Sequence, residues 1–276
     1  MLYLFMAIGC SVSIAVMMKV RRNIVHNEYA MFMANYLVCI ILSFYFSGRI
    51  VINNESSFSI ILGILSGFLY LYSFVISDRN IHKNGMVMSS TFGKLGVLVP
   101  TAMSFLLFKE TLIFRQVIGF VLAIIAIILI YFEKESLSSV TSKGFLIFYM
   151  LIAGITDSSI ALYDHYGSAL YKNQFLLINF IFAFIFSIFF LIKRKEKFSY
   201  QDLLFGLILG IPNYFSSRFM LHALESVPAI IAYPISSICG MLFISLIGAL
   251  VFKEHLSQKK IIALGIIIFA VVMLNL

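Results

Sequence analysis

Charged side chains are scarce in this sequence, and their scarcity excludes a soluble protein. Asp, Glu, Lys and Arg make up 12% of the 276 residues, whereas hydrophobic residues make up 62%. Soluble domains usually contain about 25% charged and about 45–50% apolar residues. Because a water-soluble fold could not bury this much apolar surface, the composition predicts an integral membrane protein.

Clustered cysteines and the sequence motifs of common enzymes are also missing. The three cysteines, Cys10, Cys39 and Cys239, lie in apolar segments, and their spacing indicates neither a disulfide framework nor a zinc site. The chain contains no H-E-x-x-H, G-x-S-x-G or Walker A motif. We therefore predict no catalytic residue, no metal and no cofactor, and transport driven by ATP in this chain alone is disfavoured.

Apolar segments account for most of the chain. A membrane-spanning helix needs about 20 apolar residues, so about ten spans and their short loops account for the 276 residues of the chain. Because backbone groups in lipid must pair internally, the segments should be helices, and the predicted fold is an all-α membrane protein. The N-terminus lacks the basic leader of a signal peptide, so we expect a retained first span. The predicted spans are 2–18, 29–46, 58–76, 85–108, 114–132, 144–162, 175–192, 203–221, 229–252 and 261–274.

The two halves of the chain resemble each other. The sequence Phe-Lys-Glu at 108–110 recurs at 252–254, an offset of 144 residues. Further pairs at similar offsets are Gly96 with Gly240, Gly63 with Gly206, and Gly67 with Gly210. The polar segment 133–143 separates five predicted spans from five. The matches predict two repeats, residues 1–135 and 142–276, and the alternative is chance similarity between hydrophobic helices.

A repeat with an odd number of helices has a topological consequence. Its second copy enters the membrane from the opposite side, which makes the repeats inverted. Many secondary transporters have this arrangement, with a substrate site near the bilayer midplane between the repeats.

The segment from Pro100 to Gly119 resembles the EamA-type branch of the drug/metabolite transporter superfamily. Family repeats show a Glu, a Leu two residues later and a Gly about nine residues after the Glu, which here are Glu110, Leu112 and Gly119. The second copy keeps the Glu and the Leu but has Ala263 at the glycine position. The resemblance implies a ten-helix, multi-pass transporter of a bacterial cell (inner) membrane, usually with both termini in the cytoplasm.

Charges inside spans are costly and usually functional, and three stand out here: Lys94, Asp157 and Arg218. Lys94 is about nine residues into the fourth span, roughly 13 Å deep, and Asp157 differs from it by about 6 Å in depth. We predict that Lys94 and Arg218 face an anionic substrate group and that Asp157 holds a proton or cation. The alternatives are that Asp157 only neutralises a nearby cation, and that Arg218 extends to the membrane interface.

Polar side chains in other spans complete the predicted substrate site. These further candidates are Tyr70, Tyr72, Asn213, Tyr214, Asn35 and Asn179. The alternative roles are interfacial anchoring for the tyrosines and hydrogen bonds between helices for the asparagines. Among the histidines, His222 is the candidate worth testing, because Arg218 and Glu225 lie nearby in the sequence.

These observations predict a secondary transporter or exporter of a small polar metabolite, with its site in a central cavity between the repeats. Protons are the candidate coupling ion, and exchange is the other mode. The predicted partners are a small molecule and membrane lipid, without nucleic acid, and the protein is expected to be a monomer or homodimer. The competing hypotheses are a membrane-embedded enzyme acting on lipid and a membrane component that does not transport.

Lysine and arginine are distributed unevenly between the predicted loops. Fourteen of the 20 follow odd-numbered spans and four follow even-numbered spans. Because short cytoplasmic loops carry the excess of Lys and Arg, this distribution places both termini outside the cytoplasm. The family resemblance implies the opposite orientation.

Overall fold

Helices make up all the regular structure in the part of the chain that the computed structural model describes. That part comprises residues 1–21, 24–47, 50–84, 86–131, 142–195, 197–251 and 258–275, and these ranges contain eleven α-helices and no strand. The prediction of an all-α fold is therefore confirmed for these ranges. The helices are α1 (Leu2–Val20), α2 (Glu28–Ser47), α3 (Ser57–Asn84), α4 (Met86–Leu95), α5 (Leu98–Leu106), α6 (Phe114–Tyr131), α7 (Lys143–Tyr166), α8 (Lys172–Arg194), α9 (Tyr200–Leu224), α10 (Ala229–Leu250) and α11 (Gln258–Asn275).

Six stretches among the described residues are long and apolar enough to cross a membrane. They are Leu2–Val20, Glu28–Ser47, Ser57–Ser77, Lys143–Tyr166, Ala169–Arg194 and Ala229–Gly248. Three shorter apolar stretches are Phe92–Leu106, Phe114–Leu129 and Ile262–Leu274. A single chain with this many apolar helices is a multi-pass membrane protein.

The fourth predicted span is broken in the middle. The sequence predicted one helix over 85–108, whereas the structure has α4 ending at Leu95 and α5 beginning at Leu98. Pro100 explains the break, because its ring cannot be accommodated against the carbonyl four residues earlier, which belongs to Gly96. The Gly96 carbonyl instead accepts a hydrogen bond from the Val99 N–H at 3.0 Å. Lys94 consequently lies in the last turn of α4, beside the break.

Helix α3 continues past the end of the predicted span. It was expected to end at residue 76 and ends at Asn84. Buried amides hold this extension: the Asn80 side chain donates to the Phe145 carbonyl at 3.0 Å, and Asn84 donates to Asn80 at 2.8 Å. The Asn84 side-chain oxygen also accepts from the Ser142 N–H at 2.8 Å. The side chains of Asn80 and Asn84 thus form hydrogen bonds with backbone groups at the beginning of α7.

One compact unit comprises residues 1–72 and 159–225. In this unit α2 packs against α8 and α9, and α1 packs against α9. Glycines permit the close approach between helices. A Cβ atom at Gly210 of α9 would lie 2.6 Å from the Asn35 carbonyl of α2, and one at Gly67 of α3 would lie 2.5 Å from the Asn179 carbonyl of α8.

The other compact unit comprises residues 73–158 and 226–276. Helix α6 packs against α11, and α10 packs against α5, α6 and α11. Gly119 lies at the contact between α6 and α11, where a Cβ atom would be 2.9 Å from the Ala270 carbonyl. The glycine of the family pattern therefore serves helix packing in this chain.

Candidate functional site

The two charges predicted near the membrane midplane lie in the same compact unit. Lys94 is half-buried in the last turn of α4, and Asp157 lies on α7 with an exposed side chain. Their helices approach each other at Gly96 and Gly154, but among the described residues no hydrogen bond or ion pair joins the two side chains. The C-terminal end of a helix carries partial negative charge, which favours the Lys94 ammonium at this position.

Asp157 projects from the packed side of α7. At 3.6 residues per turn, it shares a face with Gly154, and Ile155 and Phe148 lie on the opposite face. Ile155 is 44% exposed and Phe148 is 39% exposed, so that opposite face is the one available to lipid. Gly154 is buried against Gly96 and Val99. The carboxylate is thus exposed on the side of α7 that contacts protein.

Two tyrosines that were not predicted complete the surroundings of Lys94 and Asp157. A Cβ atom at Gly93 would lie 2.8 Å from the Tyr149 hydroxyl, so Tyr149 contacts the residue preceding Lys94. The buried Tyr233 of α10 donates from its hydroxyl to the Asp157 carbonyl at 2.8 Å. Neither residue shows an unusual sequence pattern, because tyrosine is common in this chain and only the packing brings these two to the site.

Glycines bring α4 and α7 together next to these charges. A Cβ atom at Gly96 would lie 3.1 Å from the Met150 carbonyl, and one at Gly154 would overlap the Gly96 carbonyl. The two backbones therefore approach each other at the break between α4 and α5. This contact places a lysine and an aspartate from different halves of the sequence near one another.

Arg218, the third predicted charge, lies in the other compact unit and has protein partners. Its Nη1 donates to the Asn173 side-chain oxygen at 3.0 Å and to the Tyr214 hydroxyl at 2.9 Å. The guanidinium also lies 3.9 Å from the centre of the Phe46 ring. Asn173 is the second residue of α8 and Phe46 is near the end of α2, so the guanidinium lies beside the ends of these two helices.

The other predicted residues bond mainly to neighbouring helices. The Asn213 side chain donates to Asn35 at 3.2 Å, and Ser66 donates to Asn179 at 2.8 Å. The hydroxyls of Tyr70 and Ser217 are 3.4 Å apart, and the Tyr72 ring stacks on Phe68 with centroids 5.5 Å apart. With Arg218 and Tyr214, these residues all belong to the unit formed by 1–72 and 159–225.

An ionic cluster at the end of α9 was not predicted from the sequence. The buried Lys172 ammonium lies 2.9 Å from both Asp164 and Glu225, and His222 Nδ1 is 3.0 Å from Glu225. The hydrogen bond from Lys172 is the main reason that the pKa of Glu225 lies below its usual range; partial burial opposes this shift, and His222 supports it. The sequence signal that could have predicted this cluster is the pair of opposite charges, Asp164 and Lys172, on either side of one short loop.

Metal-binding residues do not cluster in the described ranges. No group of three or more His, Cys, Asp or Glu side chains is arranged there to hold a metal ion. The charged groups at Lys94 and Asp157 can instead bind charged parts of an organic molecule, or exchange a proton at the carboxylate.

Comparison with known proteins identifies the kind of membrane protein. Residues 144–276 match the model of the EamA-like transporter family. The chain is also 35% identical over 102 residues to the uncharacterized membrane protein YvaE of Bacillus subtilis, covering 36% of this chain and 86% of YvaE. The chain belongs to the EamA-like transporter family.

Two further similarities extend over nearly the whole of this EamA-like transporter. An uncharacterized protein of Haemophilus influenzae is 29% identical over 283 residues, which covers 96% of this chain and 93% of the relative. One solved crystal structure superposes with a TM-score of 0.74 at 12% identity, covering 100% of this chain and 97% of the other. The superposition supports the fold alone. Family membership confirms the predicted resemblance to the EamA type and makes the protein a membrane transporter.

Proposed function

We propose that this EamA-like transporter moves a small polar metabolite by secondary transport, and that Lys94 and Asp157 form part of its substrate site. The observation that carries the proposal is the placement of Asp157: an exposed carboxylate on the packed side of an apolar helix, which approaches the segment after Lys94 at Gly96 and Gly154. Ionisable groups at this depth of a membrane helix are expensive and are retained chiefly for function.

The break in the fourth span supports this location for the site. Discontinuous helices commonly form the substrate sites of transporters, because their ends present backbone groups and partial charges near the midplane. Here the interruption at Gly96 and Val97 begins two residues after Lys94. A substrate with an anionic group would bind the ammonium there, and Asp157 would bind a cationic group or a coupling proton.

The contacts of two helix pairs support ten spans arranged as inverted repeats of residues 1–135 and 142–276. Gly67 of α3 packs on the Asn179 carbonyl of α8, and Gly210 of α9 packs on the Asn35 carbonyl of α2. The glycines match at an offset of 143 residues, and the asparagines at an offset of 144. Each repeat thus supplies the glycine for one contact and the asparagine for the other, as expected for two copies related by a twofold axis.

The two relatives come from the bacteria Haemophilus influenzae and Bacillus subtilis, which supports a location in the bacterial cell (inner) membrane. The same proposal includes coupling to protons through Asp157, with exchange of one metabolite for another as the alternative mode. A carboxylate that titrates during the transport cycle is sufficient for proton coupling and requires no cofactor.

The test begins with a thermal-shift screen of the purified full chain against amino acids, nucleosides and sugar phosphates. A bound compound stabilises the folded state by about 2.7 kcal/mol at one hundred times its dissociation constant. The best compound is then followed in proteoliposomes, with and without an imposed pH gradient. We expect uptake in wild type and its loss in Lys94→Met, with Lys143→Met, an exposed lysine at the start of α7, as the control.

The outcomes separate the proposal from its alternatives. Normal uptake by folded Lys94→Met protein would exclude Lys94 from the substrate site. Binding without uptake by wild type would favour a component that does not transport, and chemical conversion of the bound compound would favour an enzyme. Uptake that is insensitive to the pH gradient but requires a second substrate on the opposite side would indicate exchange.

A further inference from the structure

Two connections between helices meet at one end of the unit formed by 1–72 and 159–225. The Asn27 side chain, before α2, donates to the Lys197 carbonyl, before α9, at 3.5 Å. The His26 N–H donates to the Asp202 carboxylate at 2.7 Å, and the Arg194 guanidinium lies 5.1 Å from the centre of the Tyr29 ring. The ends of α1 and α8 and the beginnings of α2 and α9 therefore form one surface.

This surface is strongly basic. We define the basic surface as Lys19, Arg21, Lys193, Arg194, Lys195 and Lys197. Of the described acidic groups nearby, Glu28 pairs with Arg21, while Asp202 is buried and accepts the backbone N–H groups of His26 and Ser199. Arg22 and Glu196 lie outside the described residues, and their formal charges cancel. The described residues of this surface therefore carry a net positive charge.

Large apolar side chains are exposed among these basic residues. Ile192 is 68% exposed, Phe198 is 51% exposed and Tyr200 is 76% exposed. In the sequence they flank the run of Lys193, Arg194, Lys195 and Lys197 on both sides. A nucleic acid or a soluble anion would leave these apolar groups in water, whereas a phospholipid provides a charged headgroup and an adjoining hydrocarbon chain.

We propose that the basic surface binds anionic phospholipid headgroups, with Ile192, Phe198 and Tyr200 in contact with the adjoining acyl chains. Basic residues next to a membrane helix attract anionic lipid over a distance of about one Debye length, and aromatic residues favour the headgroup level. At the opposite end of the same unit, the described Lys172 is buried and paired with Asp164 and Glu225, and Arg218 bonds to Asn173 and Tyr214. The interaction is independent of the transported compound.

The test measures lipid binding by the purified full chain in neutral detergent micelles. Fluorescent phosphatidylglycerol or phosphatidylcholine is titrated, and energy transfer from the protein's tyrosines to the lipid label is recorded. We expect wild type to bind phosphatidylglycerol more tightly than phosphatidylcholine. In the triple variant Lys193→Gln, Lys195→Gln, Lys197→Gln, the ratio of the two affinities should fall by about tenfold or more. The triple variant with Arg at the same three positions should retain the wild-type ratio, because its charge is unchanged.

Matched controls distinguish a local surface from net charge. The triple variant Lys109→Gln, Arg115→Gln, Lys143→Gln removes three exposed basic residues elsewhere and should bind phosphatidylglycerol as wild type does. Equal binding of both lipids by wild type would overturn the proposal, as would an equal loss in the two glutamine triples. Displacement of the lipid by millimolar inorganic phosphate at constant ionic strength would assign the surface to a free anion instead. If the first triple unfolds, Tyr200→Ser with Phe198→Ser tests the apolar contribution by the same measurement.

Discussion

The Glu110 carboxylate accepts a hydrogen bond from the backbone N–H of Ile230 at 2.8 Å. Its other oxygen accepts from the Ala229 N–H at 3.3 Å, so one side chain caps the first turn of α10. The first N–H groups of a helix lack intrahelical acceptors, and the helix dipole favours an anion at this end. The glutamate of the family pattern thus has a structural role here, because it joins the segment between α5 and α6 to a helix of the second half of the sequence.

Removing this cap should destabilise the protein. We expect Glu110→Ala to lower the free energy of unfolding by about 0.5–2 kcal/mol, as for other N-terminal caps. Glu110→Gln should cost less, because its amide oxygen still accepts one hydrogen bond. Thermal unfolding in detergent measures both effects, with Glu55→Ala as the exposed control. Equal melting temperatures for Glu110→Ala and wild type would show that the cap contributes nothing.

The contact between α4 and α7 should be intolerant of even one methyl group. A Cβ atom at Gly154 would lie 2.5 Å from the Val99 side chain and closer still to the Gly96 carbonyl. We expect Gly154→Ala to destabilise the fold by about 1–3 kcal/mol, the usual cost of overpacking. Gly240→Ala is the matched control, because a Cβ atom there meets nothing within 4 Å. Similar melting temperatures for the two variants would contradict the close approach.

A double-mutant cycle at Lys94 and Asp157 separates a substrate site from a structural ion pair. The two residues lie near the same helix contact without a direct bond, so we expect their coupling energy in stability to be about 0.5–1 kcal/mol. Lys94→Met, Asp157→Asn and the double variant should all fold and all lose transport. A destabilisation of about 3–5 kcal/mol in each single variant, relieved in the double, would instead indicate a buried structural pair.

Acid should weaken the ionic cluster around Lys172. Because the pKa of folded Glu225 is below its usual value, ionised Glu225 stabilises the native state above the unfolded pKa of about 4.3. This stabilisation is lost as the pH falls through the lower, folded value. We expect Glu225→Gln to be less stable than wild type at pH 7, and the difference to shrink below about pH 4.3.

Thermal unfolding from pH 7 to pH 3 measures this difference. Lys172→Met should be the more harmful change at neutral pH, since it removes the ammonium that contacts both Asp164 and Glu225. Lys195→Met, at an exposed position, is the control. A difference between Glu225→Gln and wild type that stays constant with pH would exclude the ion pair as its cause.

The loop charges predict that both termini lie outside the cytoplasm. A reporter fused after Leu276 that fluoresces only in the cytoplasm should therefore stay dark, while the same reporter after the fifth predicted span, in 133–143, should be bright. The reason is the excess of Lys and Arg in loops that follow odd-numbered spans. A bright C-terminal fusion of full-length protein would establish the orientation usual in the family.

The candidate site shows how far sequence reasoning extends. Lys94 and Asp157 are predicted as site residues because charge is rare inside apolar helices, and the structure places both in one unit. Arg218 looked equivalent, yet its guanidinium bonds to Tyr214 and Asn173. The position of a residue along its predicted span could not distinguish Arg218 from Lys94 and Asp157, because it specifies neither the helix face nor the reach of a long side chain.

The sequence by itself determined that this is a helical membrane protein of the EamA type, because apolar composition and segment length decide what a bilayer accepts, and because Glu110, Leu112 and Gly119 keep the family spacing. Only the tertiary structure decided that Glu110 caps α10, that Tyr149 and Tyr233 lie beside Lys94 and Asp157, and that Lys172 joins two acids. These contacts link residues far apart in the chain, and packing selects such neighbours through the shapes of whole helix faces, which no local pattern encodes.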